Sequence, residues 1–157
     1  MEQQLLSLLN IEPFSFLGIS CCIFCGTIIG LERQLSGKPA GIRTSILICF
    51  STYLFAVLSS FLVADSGDPS RVVGQIVTGV GFLGGGVMLS RNGLVVGITS
   101  AAIIWLLAGL GCIIAFGFLS QSVIFSVVTV LLLIGISFLE KMIRKLKSGE
   151  HKDVKGS

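Results

Sequence analysis

The sequence predicts an all-α fold, a polytopic membrane bundle of about five transmembrane helices with the N-terminus outside and the C-terminus in the cytoplasm. Three observations carry this. Hydrophobic residues make up 53% of the 157-residue chain and charged residues only 12%, where a soluble domain carries roughly 25% charged residues. Mean hydropathy is +0.98, and the uncharged runs reach the roughly 17–25 residues that a helix needs to cross a bilayer. The basic residues, finally, cluster by side. With the N-terminus outside, ten of the eleven Lys and Arg residues fall on the cytoplasmic face and Arg71 is the exception, as the positive-inside rule requires.

Residues 1–13 contain no Lys or Arg and include Glu2 and Glu12. They lack the basic start of a secretory signal and read as a short external N-terminus. The membrane domain occupies residues 14–139. Its first span covers about Phe14–Leu31, the second Ile42–Ala64, the third Arg71–Leu89, the fourth Thr99–Phe118 and the fifth Gln121–Leu139. The short link at Gly117–Gln121 makes the last two spans an antiparallel hairpin. Residues 140–157 form a basic cytoplasmic tail. Its first part, 141–147, can prolong the fifth helix with Met142, Ile143 and Leu146 toward lipid and its basic groups toward headgroups.

The third span departs from an ordinary membrane helix. Asp68 is placed to cap it, and Pro69 occupies the favoured first helical position. At about 100° per residue, Arg71, Gln75 and Thr78 fall in one stripe. Gly74, Gly81 and Gly85 flank that stripe on one side, Gly79 and Gly86 on the other. The opposite half is bulky and apolar. Polar groups in hydrocarbon are costly, so the polar, notched half is expected to face the bundle interior. There the glycines let helix backbones approach closely. The run Gly84-Gly85-Gly86 also weakens the helix, each Gly by about 1 kcal/mol relative to Ala, and is a place for a kink or unwinding. On the first span, Gly18, Cys22, Gly26 and Gly30 recur every fourth residue, a small-residue row suited to another helix, with the notched third span as the natural partner.

At the cytoplasmic face, Glu32 and Arg33 close the first span while Arg43 and Thr44 open the second. An ion pair from Glu32 to Arg43 would staple the two helices there; alternatively the cluster docks a partner. Thr99 and Ser100 open the fourth span as caps or interhelical hydrogen-bonding groups, and Trp105, several residues deep, is expected to pack internally.

Much chemistry is excluded. The single histidine, His151, lies in the tail, so the bundle holds no Ser-His-Asp or Cys-His arrangement. The glycine run lacks the Gly-Lys-Ser/Thr of a P-loop. No carboxylate sits at mid-membrane. The cysteines Cys21, Cys22, Cys25, Cys49 and Cys112 all lie in apolar runs and read as packing residues. No enzyme, metal site, cofactor or nucleic-acid partner is expected.

Five segments in order, Gly30-Leu-Glu-Arg-Gln34, Ala40-Gly-Ile-Arg-Thr44, Asp68-Pro-Ser-Arg71 with Gln75, Gly81-Phe-Leu-Gly-Gly-Gly86 and Gly97-Ile-Thr-Ser-Ala-Ala102 with Trp105, resemble the MgtC/SapB family of bacterial inner-membrane proteins. The resemblance implies an N-terminal membrane domain of this kind, followed in many members by a cytosolic ACT-like domain. Residues 140–157 are too few to form that domain. It also implies a link to low-magnesium adaptation, to virulence and to survival inside macrophages. In that family the best-known members look like regulators of other membrane proteins rather than proven magnesium pumps. Family motif positions fall on Glu32, Arg33, Arg43, Thr44, Asp68, Arg71 and Gln75. Two functions are therefore expected in competition. One is a regulator working through a membrane-protein partner or self-association. The other is a transporter or channel subunit with the Arg71–Gln75–Thr78 stripe along its path.

Overall fold

The chain is described by a computed structural model that covers residues 11–62, 68–91 and 94–153. Its helices are α1 (Phe16–Leu35), α2 (Ile42–Leu62), α3 (Pro69–Gly86), α4 (Ile98–Ala115) and α5 (Leu119–Asp153). Two short strands, β1 (Leu89–Arg91) and β2 (Leu94–Val96), lie between α3 and α4.

The centre is α4. It carries no charged residue and packs on all four other helices, as a helix that is apolar all round should. Ile104, Leu107 and Leu110 are buried there with Ile29 of α1 and Cys49 of α2. The principal partners of α2 are α1 and α4. On one flank α3 leans on α4 and, more loosely, on α2; on another α5 lies against α1 and α4. Among the described residues, four of these helices are long and apolar enough to cross a membrane. The other, α3, has 18 residues, or about 27 Å at 1.5 Å per residue, close to the hydrocarbon thickness. Its Arg71, Gln75 and glycines lower its hydropathy.

The α1 row of Gly18, Cys22, Gly26 and Gly30 is buried, but its partner is α2, not α3. A side chain at Gly18 would meet the Tyr53 ring, one at Gly26 the backbone of Ile46, and one at Gly30 the backbone of Ile42. The cysteines are free thiols, all buried. Cys21 Sγ lies 3.3 Å from Ser122 Oγ and 3.9 Å from Cys25 Sγ, at the seam of α1 with α5.

The expected third span ends early. The glycine run does not kink α3 but terminates it at Gly86, with Val87 N–H donating to Gly84 O and Met88 N–H to Gly85 O. The residues that follow pair as an antiparallel hairpin, Leu89 with Val96, Ser90 with Val95 and Arg91 with Leu94. At the start of α4 the cap is Gly97, at φ +94°, rather than a hydroxyl. A side chain at Gly97 would strike the Val87 carbonyl oxygen, so glycine is required where the hairpin closes on the end of α3. Ser100 is buried and Thr99 exposed. The turn from α4 to α5 is tight, with Gly117 at φ +85°. Beyond the span, α5 continues as one helix to Asp153, with Met142 and Ile143 exposed.

Candidate functional site

Two regions collect the polar residues singled out in the sequence, and they lie at opposite ends of the bundle. The first is where α1 ends and α2 begins. Glu32 and Arg33 are both buried there, with Arg33 Nε donating to Glu32 Oε2 at 2.8 Å and Nη2 to Oε1 at 3.3 Å. Ser36 Oγ donates to Glu32 Oε1 at 2.8 Å. The carboxylate is thus held by its sequence neighbour and by a residue one turn on. The expected Glu32–Arg43 staple does not form, because Arg33 already occupies the carboxylate and Arg43 is exposed. Arg33 Nη1 is buried with no hydrogen-bond partner. The α1–α2 junction is instead fastened by Ile42 N–H donating to Gln34 Oε1 at 3.5 Å and by the close glycine contacts, while Ser45 Oγ donates to Ala40 O of the link at 3.0 Å.

The second region is α3. Asp68 caps it, accepting from Ser70 N–H at 2.9 Å and from Ser70 Oγ at 2.7 Å, with Pro69 at the helix start. These two bonds, helped by the Arg71 charge, hold the Asp68 carboxyl below its usual range. A carboxylate whose pKa is depressed by folding stabilises fully above its ordinary value and loses that contribution as pH falls through the lowered one. The Ser70 amide resonance is expected to titrate with an inflection below the ordinary Asp range of about 3.9. NMR titration checks this, and Asp68→Asn should keep the cap while abolishing the inflection.

The polar half of α3 does not turn inward. Val72, Val73, Ile76, Val80, Gly84 and Val87 are its buried or half-buried positions, while Arg71, Gln75, Thr78, Gly74, Gly79, Gly81, Gly85 and Gly86 are exposed. No atom lies within 4 Å of a side chain built at Gly74, Gly79, Gly81, Gly85 or Gly86; Gly84 is the one that meets a neighbour, Ala101 of α4. Ile76 and Val80 of the bulky half pack on the core instead, and in hydrocarbon it is such side-chain packing, not transfer from water, that decides helix contacts. Thr78 satisfies its own hydroxyl by donating to Gly74 O at 2.9 Å. Trp105 also departs from expectation, 56% exposed beside the space between α3, α4 and α5.

A groove of about 720 Å³ runs between α2 and α3. Thr44, Ser51 and Ser59 line it from α2, Gln75 and Gly79 from α3. Sequence reading missed Ser51 and Ser59, although their i, i+8 spacing places both on one helix face. It also missed Ser122, Ser126 and Thr129 of α5, all buried and all bonded back to their own helix carbonyls. Their small-residue spacing was the available signal. Among the described residues, no group of three or more His, Cys, Asp or Glu side chains is placed to hold a metal ion.

These features define a small polytopic helical membrane protein whose small and polar side chains lie at one helix junction and along one lateral flank. A sequence profile described as the MgtC family matches residues 19–142, and the chain belongs to the MgtC family. It is 44% identical over 122 residues to YhiD of Escherichia coli (strain K12), whose name proposes magnesium transport; the match covers 73% of this chain and 56% of that protein. It is 35% identical over 147 residues to SapB of Bacillus subtilis (strain 168), covering 87% and 61%. It is 38% identical over 102 residues to MgtC of Brucella abortus (strain 2308), covering 65% and 42%. The matches thus span only about two-fifths to three-fifths of these relatives' lengths. No solved structure matches the chain.

Proposed function

We infer that this chain is a regulator of other proteins in the bacterial inner membrane, acting through lateral helix contacts in adaptation to low magnesium or host-associated stress. The observation that carries this reading is the outward face of α3. Its glycines and polar side chains are presented sideways to the membrane rather than around an internal path, and the centre of the bundle is filled by Ile29, Ile104, Leu107 and Leu110. Exposed glycines in a membrane helix suit close approach by another helix. The magnesium setting is taken from the name of the Escherichia coli relative. The proposed orientation has the N-terminus outside, so that Arg71 lies at the outer interface and the Glu32–Arg33 pair on the cytoplasmic side.

A transport reading has one observation in its favour: Gln75 lines the α2–α3 groove together with Thr44, Ser51 and Ser59. Flux through the purified protein in liposomes decides between them. The regulator reading expects no Mg²⁺ or anion flux under any gradient, in wild type and in Arg71→Ala and Gln75→Leu alike. Flux that Gln75→Leu abolishes overturns it.

A further inference from the structure

We propose that the α2–α3 groove and the exposed glycine face of α3 form a self-association surface, filled by α3 of a second copy of this chain. The proposal rests on the lateral-contact reading and names the occupant of that flank.

Ser59 supplies the first argument. It is only 8% exposed, lines the groove, and its Oγ has no hydrogen-bond partner. Its neighbours on α2 do not behave this way: Thr52 donates to Ile48 O at 2.8 Å and Ser60 to Ala56 O at 3.1 Å. Gln75, on the other wall, is exposed. An acyl chain filling the groove would leave both groups unsatisfied in a medium without water. A polar group carried by another helix satisfies Gln75, and Ser59 too once its hydroxyl rotates toward the groove that the residue lines.

Length and depth narrow the occupant further. From Thr44 to Leu62 the α2 wall runs about 27 Å at 1.5 Å per residue, the hydrocarbon depth of a bilayer. The occupant is therefore a membrane-spanning rod. Ser59 lies three residues before the end of α2, and Gln75 six residues after the start of α3, at the same end of the bundle. The two are within about one helical turn of each other in depth. A two-fold axis along the membrane normal preserves depth, so the second copy brings its own Gln75 to the level where Ser59 and Gln75 wait.

The α3 helix is also complementary to itself. Phe82, 85% exposed, stands on the same stripe as Arg71, Gln75 and Thr78, flanked by glycines whose side-chain positions meet nothing within 4 Å. Knob and hole lie side by side on one surface, which is what a two-fold interface needs. Asp68 and Arg71 add charge complementarity: both are exposed, of opposite sign and one turn apart, so a symmetric partner brings its Asp68 within about a turn in depth of Arg71, inside the reach of that long side chain.

The test is crosslinking of the full-length protein in membranes through an introduced cysteine, since the native thiols are buried. Thr78→Cys, at the centre of the stripe, is expected to give a disulfide-linked dimer at least tenfold faster than Ile136→Cys, an exposed position on α5. Gly79→Leu and Gln75→Leu should each weaken dimerisation about tenfold by single-molecule subunit counting, with unchanged monomer melting, because neither position is packed within one copy. Equal crosslinking at Thr78→Cys and Ile136→Cys, or a dimer indifferent to both leucine variants, overturns the proposal. If Thr78→Cys crosslinks only to a different membrane protein, self-association fails while the lateral-contact reading stands. Solute flux from a dimer would instead overturn the regulator reading and leave the surface intact.

Discussion

Gly111→Val is expected to be among the most destabilising single substitutions in the chain. Gly111 lies on the central helix α4, where it crosses α2. A side chain there would strike the carbonyl oxygen of Cys49 and come within 2.8 Å of Thr52 Cβ and 3.0 Å of Tyr53 N. Two of those three atoms are backbone, so no rotamer change relieves the clash and the helices must separate. Overpacking of this kind costs about 1–3 kcal/mol, and a β-branched side chain against backbone belongs at the top of that range. A control sits two residues away. Gly109 is exposed on the same helix with nothing within 4 Å of its side-chain position. There Gly109→Ala gains helix propensity, up to about 1 kcal/mol. Thermal unfolding in detergent should therefore move in opposite directions for two glycines on one turn of one helix. Equal responses would mean that α4 does not cross α2 at Gly111.

That contrast also marks how far the sequence can be read. The helices were legible because hydropathy and length are properties of a segment by itself. The cap at Asp68 and the tight turn at Gly117 were legible for the same reason: each is decided by a few neighbouring residues. The direction in which a helix faces is not local. The polar stripe of α3 was correctly drawn from its period, yet the rule that polar residues face the interior sent it the wrong way. Within one copy the bulky half, through Ile76 and Val80, packs on the core instead. Partner choice failed similarly for the α1 glycine row. The period identifies a surface for close contact, but which helix fills it depends on loop length. A link of six residues between α1 and α2 leaves α2 as the immediate antiparallel neighbour. The β-hairpin was not foreseen although Asn92-Gly93, outside the described residues, carries the Asn-Gly signature of a two-residue turn; Leu89 was counted in the third span, and the three apolar residues Leu94–Val96 were left in the link before the fourth. The Glu32–Arg43 staple was inferred from shared membrane depth, whereas the side chain took the nearer cation.

Glu32→Gln should be as damaging as any core substitution, and the cause is electrostatic. The Glu32 and Arg33 side chains are 7% and 4% exposed, their pair closes at 2.8 Å, and Arg33 Nη1 has no other partner. Removing the carboxylate charge leaves a guanidinium that can neither reach water nor lose its proton. Breaking one side of a buried pair costs about 3–5 kcal/mol, whereas replacing both members with apolar groups of similar size is often neutral. The double variant Glu32→Gln/Arg33→Met should therefore recover most of the melting temperature that Glu32→Gln loses. Arg43 provides the decisive comparison. It is exposed and outside the pair, so Arg43→Ala should change stability by no more than about 0.5 kcal/mol. If Arg43→Ala instead destabilises as much as Glu32→Gln, and Arg33→Met fails to rescue, the carboxylate pairs across to α2 and the junction is an interhelical staple. If the rescue holds, the pair belongs to α1 alone. In that case Arg43 and Thr44 can be substituted without loss of fold, and any effect of those substitutions on activity reports contact with a partner.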